Sequence, residues 1–125
     1  MTFLELFRDW KDTQDYPAQT VIFTKGAPAD AMYVVLSGEV ELTLHGDLLG
    51  TEGAGGIIGE MALIPEAVRN ATATTIGQVK LARLDRTELE KLSGNNIDFS
   101  LHVMAVLANR LQAVDGFISA RIDSI

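Results

Sequence analysis

The chain is predicted to be a mainly β domain, a sandwich or barrel with a short helix before it and a long helix after it. Three observations carry this. Short apolar segments with period-two alternation recur between residues 21 and 84, broken by turn signals at intervals of about ten residues. Before Pro17 and after Asp85 the apolar spacing changes to three and four, the period of a helix. The 125 residues suit one domain, and no internal repeat divides them.

The elements follow in order. FLELFRDWK, residues 3–11, places Phe3, Leu6, Phe7 and Trp10 on one helical face. VIF at 21–23 and AMYVVL at 31–36 read as strands, and Val40, Leu42 and Leu44 alternate with Glu39, Glu41 and Thr43 as a half-buried strand does. Ser37-Gly38 is expected to make a tight turn, so that 31–36 and 39–45 form an antiparallel hairpin closed off by His45-Gly46-Asp47. Further strands are expected at 47–51, 70–76 and 78–84. RTELEKL at 86–92 reads as a helix with Thr87 as its cap and Gly94 as its stop. A long helix is expected over 97–122, where Met104, Leu107, Leu111, Val114 and Ile118 are spaced 3, 4, 3, 4 like a coiled-coil seam. Val103, Val106 and Phe117 add a second apolar edge, so this helix is expected to serve both its own barrel and a second subunit. The chain is thus read as one domain over 1–125, with a helical segment at 1–14, the β portion at 15–85 and helices at 86–125.

Ten basic against seventeen acidic residues give a net charge of −7, which opposes general nucleic-acid binding, because affinity for a polyanion comes from many Lys and Arg contacts to phosphate. There are no cysteines, hence no disulfides and no thiolate metal site. No apolar run approaches the ~20 residues of a membrane span and no secretory signal is visible, so a cytoplasmic protein without membrane insertion is expected. His45 and His102 lack the spacing or the carboxylates of a metal pair, and Ser37 and Ser93 have no neighbouring histidine. No metal cofactor and no enzymatic activity are expected.

Chemistry concentrates in GGIIGEMALIPEAVRNATA, residues 55–73. Glycines alone mark turns far more often than ligand sites. Here Glu60-Met61-Ala62-Leu63 are good helix formers stopped by Pro65, and one helical turn after Gly59 would present backbone N–H groups. Arg69 stands among Val68, Ala71 and Ala73, which implies a partly buried guanidinium in need of an anion. That anion is either Glu60, in a closed salt bridge, or a small phosphate, with Glu60 accepting from a sugar hydroxyl. The residues leave both open.

The run Gly59-Glu60-Met61-Ala62-Leu63 followed by Arg69-Asn70-Ala71-Thr72 resembles the phosphate-binding cassette of cyclic-nucleotide-binding domains, found in bacterial catabolite activators, regulatory subunits of cyclic-AMP-dependent protein kinase and cyclic-nucleotide-gated channels. Phe23 to Asp30, Met32 to Val40, and Leu84-Asp85-Arg86 are similar to the same family. The resemblance implies an eight-stranded antiparallel jelly roll flanked by helices. It assigns Arg69 to the cyclic phosphate, Glu60 to the ribose 2′-hydroxyl, the backbone of Gly59, Met61, Ala62 and Ala71 to the pocket lining, and Leu42 to the purine. The long helix would be a lid, with Arg110, Val114 and Asp115 near positions that face the base or a second subunit. Asn70 stands where the family commonly has Ala, Ser or Thr, and Val114 and Asp115 where the bacterial activators carry hydroxyls.

The function implied is a cyclic-nucleotide sensor, for cyclic AMP (cAMP) rather than cyclic GMP (cGMP). Its ligand would neutralise Arg69, order residues 60–64 and shift the long helix, and the protein would form a homodimer through 97–122. The chain ends at Ile125 with no helix-turn-helix after the long helix, so DNA binding is not expected. The other reading is a jelly-roll dimerisation or interaction module that binds no nucleotide, with Glu60 and Arg69 closed on each other.

Overall fold

The computed structural model describes residues 3–123, with side chains to residue 112. A 3-10 turn, Leu4–Phe7, leads into six strands: β1 Thr13–Tyr16, β2 Val21–Phe23, β3 Ala31–Leu44, β4 Asp47–Glu52, β5 Ile57–Ile58 and β6 Thr72–Asp85. A second 3-10 turn, Glu60–Leu63, lies between β5 and β6, and helices α1 Arg86–Asn95 and α2 Ile97–Asp123 close the chain. All the pairings are antiparallel: β1 and β2 on β6, β6 on β3, and β4 and β5 on β3.

Among the described residues six strands are delineated where eight were expected, β3 running through both 31–36 and 39–44 and β6 through both 72–76 and 78–84. The breaks at Ser37-Gly38 and at Gly77 are not reverse turns. Both halves of β3 pair with the same strand, Ala31 opposite Asp85 at one end and Thr43 opposite Thr72 at the other, so 31–36 and 39–45 do not form a hairpin with each other. Gly38 (φ +86°) lies at a shift of register, and a Cβ there would stand 2.4 Å from the Gln78 carbonyl oxygen. Only glycine lets the two strands pass this closely.

Strand alternation builds two apolar layers around β3. Met32 and Val34 point to one side with Phe7, Ile57, Ala82, Leu84, Leu89, Phe99 and Val103. Ala31, Tyr33 and Val35 point to the other with Val40, Ile58, Ala73, Val79 and Leu81. The continuous apolar run at 31–35 is therefore buried on both faces.

The N-terminal segment is less helical than its spacing predicts. Phe3, Leu6, Phe7 and Trp10 all pack on the first layer, but only Leu4–Phe7 is helical and residues 13–16 are a strand, because the backbone joins the sheet at Asp12, whose carbonyl accepts from the Arg83 N–H at 2.8 Å. Asp85, not Thr87, caps α1. Its side chain accepts from the Glu88 N–H at 2.9 Å and the Glu88 side chain accepts from the Asp85 N–H at 3.0 Å, a reciprocal capping box. The helix runs through Gly94 to Asn95, and Asn96 then caps α2 through the Phe99 N–H at 3.0 Å.

On α2, Phe99 and Val103 are buried, and Val106 and Leu107 continue the same inward stripe. Leu107 therefore belongs to the protein's own core rather than to the outer seam, whereas Met104 and Leu111 are exposed as a seam requires. Val114, Asp115, Phe117 and Ile118 lie outside the described side chains.

Candidate ligand site

Residues 57–71 are held at both ends. Ile57 and Ile58 pair with Val34 and Tyr33, which fixes the entry. At the exit, the Arg69 N–H donates to the Ala27 carbonyl at 2.8 Å and the Arg69 carbonyl accepts from Gly26 at 2.9 Å, joining the segment to the loop before β3. Between these anchors Gly59 adopts φ +78° and opens the Glu60–Leu63 turn. A side chain at Gly59 would put Cβ 2.7 Å from Arg69 Nη1 and 3.1 Å from the Ala31 carbonyl, so position and conformation both require glycine. The far end of the turn is clamped by Arg86 of α1, whose Nη1 donates to the Leu63 carbonyl at 2.7 Å while its Nε pairs with Glu90 at 3.3 Å.

Arg69 is only 2% exposed. Its Nη1 donates to the Gly59 carbonyl and its Nη2 to Asp30 Oδ1, both at 3.2 Å, while its Nε has no partner. The guanidinium lies 4.2 Å over the Phe23 ring and 6.0 Å from the Tyr33 ring. Burial pushes its pKa down from the ordinary arginine value, against the opposing pull of Tyr33, Asp30 and Glu60. Its one paired carboxylate is 68% exposed and is shared with Arg83, whose Nη2 is 3.7 Å from Asp30 Oδ2. A buried cation with so solvated a counterion, and a donor to spare, suits a further anion.

Glu60 does not close on Arg69. Its Oε2 is 2.6 Å from Arg110 Nη1 of α2, and Arg110 Nη2 reaches Glu52 Oε1 of β4 at 3.1 Å and also donates to the Ile57 carbonyl. Burial pulls the Arg110 pKa down, but the Glu60 and Glu52 carboxylates outweigh it and the net displacement is upward.

Of the residues expected at the site, Gly59, Glu60 and Arg69 come together and Arg110 joins Glu60 from α2. Met61 is half-buried; Ala62 and Ala71 are buried; Asn70 is exposed. The Ala62 N–H is engaged within its own turn by the Gly59 carbonyl at 3.1 Å. Leu42 lies on β3 opposite Ala73 and packs on the second apolar layer, with Tyr33 and Phe23. Val114 falls outside the described side chains. Asp30, Phe23 and Glu52 complete the charge and ring contacts and were not singled out from the sequence. His102 faces the Gly55 carbonyl at 3.1 Å and stacks on Phe3, and among the described residues no cluster of His, Asp or Glu could hold a metal.

The protein-family model described as Cyclic nucleotide-binding domain matches residues 13–96. The chain is 29% identical over 103 residues to a CRP-like cAMP-activated global transcriptional regulator of Mycobacterium tuberculosis, covering 78% of this chain and 46% of that protein. It is 35% identical over 91 residues to a cAMP-dependent protein kinase regulatory subunit of Schizosaccharomyces pombe, covering 72% of this chain and 22% of that protein. The chain thus spans less than half the length of these curated relatives. The crystal structure of the Thermus thermophilus catabolite activator protein superposes with a TM-score of 0.79 at 30% identity, over 94% of this chain and 57% of that one.

Proposed function

The chain belongs to the cyclic nucleotide-binding domain family, and on that premise we propose that it is a non-enzymatic sensor that binds cAMP in preference to cGMP and reports binding through α2. The observation that carries this is Arg69, buried, aromatic-backed and weakly neutralised. The singly charged cyclic phosphate pairs with its guanidinium, and Glu60 accepts from the ribose 2′-hydroxyl. The backbone of Gly59, Met61, Ala62 and Ala71 lines the pocket beside Asn70, Leu42 meets the purine, and α2 with Arg110 and Val114 covers the base. The preference for cAMP is supported by the names of the Mycobacterium and Schizosaccharomyces relatives. The Glu60–Leu63 turn is clamped by Arg86, so α2 is the element left to move.

In this reading the protein acts in the cytoplasm as a homodimer, without DNA. Ile97, Leu101, Met104 and Leu111 form an exposed apolar line along α2, the surface a second copy would cover. No helix among the described residues is long and apolar enough to cross a membrane.

Calorimetry tests the ligand. Wild type should bind cAMP more tightly than cGMP and far more tightly than the acyclic monophosphates. Arg69→Ala should lose at least ~30-fold in affinity, the loss expected when a buried charge pair worth about 2–5 kcal/mol is broken. Equal affinity of wild type and Arg69→Ala, or no heat with any cyclic nucleotide at millimolar concentration, would overturn the proposal.

A further inference from the structure

The first apolar layer is left open at one end. On β6 the alternate positions Leu84 and Ala82 face this layer, and the next position in the series is Lys80, an exposed cation where an apolar side chain would continue the pattern. It lies opposite Ser37, across the register shift between Val35 and Ser37. At this end the Leu4–Phe7 turn and the sheet enclose a cavity of about 370 Å³, within the lower range of ligand pockets. Leu4, Phe7 and Leu36 form its apolar wall, and all three belong to or pack on the first layer. The exposed Arg8 and Lys80 line it as well, and Thr13, opposite Ala82 on β1, adds a hydroxyl.

We propose that this cavity is a second ligand site, for a carboxylate on an apolar chain of medium length: the chain lies against Leu4, Phe7 and Leu36, and the carboxylate pairs with Arg8 and Lys80. Among the described residues neither cation has an ion pair, although Asp15 is the cross-strand neighbour of Lys80. Glu5, which also lines the cavity, already has a partner. Long basic side chains lay their methylene stems along apolar surface and keep their charged heads in water, so the same two residues cover the chain and meet its anionic end. With the acids Glu5 and Asp15 close by, a single negative charge is repelled less than a double one, which favours a carboxylate over a phosphate monoester. Arg69 lies on the other apolar layer with Phe23 and Tyr33, so this site is separate from the nucleotide reading and does not depend on it.

The experiment is a titration of the whole chain with decanoate, kept below its micelle concentration and followed by amide NMR. The resonances of Leu36, Lys80 and residues 4–8 should shift. Hexanoate should bind about tenfold more weakly, or worse, because it buries fewer methylenes. Decanol should bind about threefold more weakly, or worse, because it brings no charge to Arg8 and Lys80. Lys80→Gln and Arg8→Gln should each weaken decanoate about twofold or more and leave decanol level, and either variant keeps the test open if the other fails to fold. No shift with decanoate, or shifts confined to the exposed line of α2 at Leu101, Met104 and Leu111, would overturn the site. Decanol bound as tightly as decanoate, or decanoate affinity unchanged in both variants, would overturn the carboxylate as its ligand.

Discussion

Asp30 Oδ1 lies 3.2 Å from Arg69 Nη2 in a pair of unequal members, the arginine side chain 2% exposed and the acid 68%. The buried partner needs the contact and the exposed one does not. Asp30→Asn should therefore destabilise the fold through Arg69, but by no more than about 1 kcal/mol, because water screens the carboxylate. The gap in melting temperature between variant and wild type should narrow as salt is raised. A gap that persists unchanged in high salt would mean that the pair is not the source of the loss.

Gly59→Ala places a Cβ against the Arg69 guanidinium in a backbone conformation with φ +78°. The left-handed conformation alone costs an alanine about 1–2 kcal/mol. Thermal unfolding should fall accordingly, and cyclic-nucleotide affinity should fall with it as Arg69 is pushed aside. Full affinity at a lowered melting temperature would show that Arg69 adapts freely.

Asp85→Ala removes the cap of α1 while leaving the ligand cluster untouched. Chemical denaturation should show a loss of about 1 kcal/mol, the usual value of such a cap. Nucleotide affinity should not change. A parallel loss of affinity would link α1 to the pocket through Arg86 and the Leu63 carbonyl.

Leu111→Glu sets a charge in the exposed apolar line of α2, where Leu111 is 65% exposed. Light scattering should report a dimer for wild type and a monomer for the variant, with the monomer's fold retained because Leu111 does not pack on the core. An unchanged mass in the variant would remove α2 as the dimer contact.

Much of the site was legible because it is local. Gly59, Glu60 and Arg69 fall within one short stretch, and small apolar neighbours already implied that Arg69 is buried. Its counterion was not legible. Asp30 lies far off in the sequence, before another strand, and the backbone bonds of Arg69 to Gly26 and Ala27, with the Pro28–Val68 bridge, bring the two together. Glu60 and Arg110 show the same limit from the other side: the carboxylate was read as either ligand-bound or paired with Arg69, and the fold supplies a third partner from α2. The misread hairpin has a different cause. A glycine with positive φ serves a reverse turn and a bulge equally well, and the choice at Gly38 is made by β6, which accepts both halves of β3. The cap of α1 could have been found, since Asp85 and Glu88 have the spacing of a capping box.

The pairing of Thr43 with Thr72 has a consequence for how this domain can change. Between those two residues β4 and β5 return to pair with β3, and Ile57, Ile58 and Ala62 are buried, so only the exposed connections between these anchors behave as loops. The entropy of closing such a loop grows only with the logarithm of its length, so doubling it would cost about 0.6 kcal/mol. Insertions and rewritten recognition sequences can therefore accumulate there while the frame beneath them stays intact, leaving the choice of ligand freer to drift than the architecture that presents it.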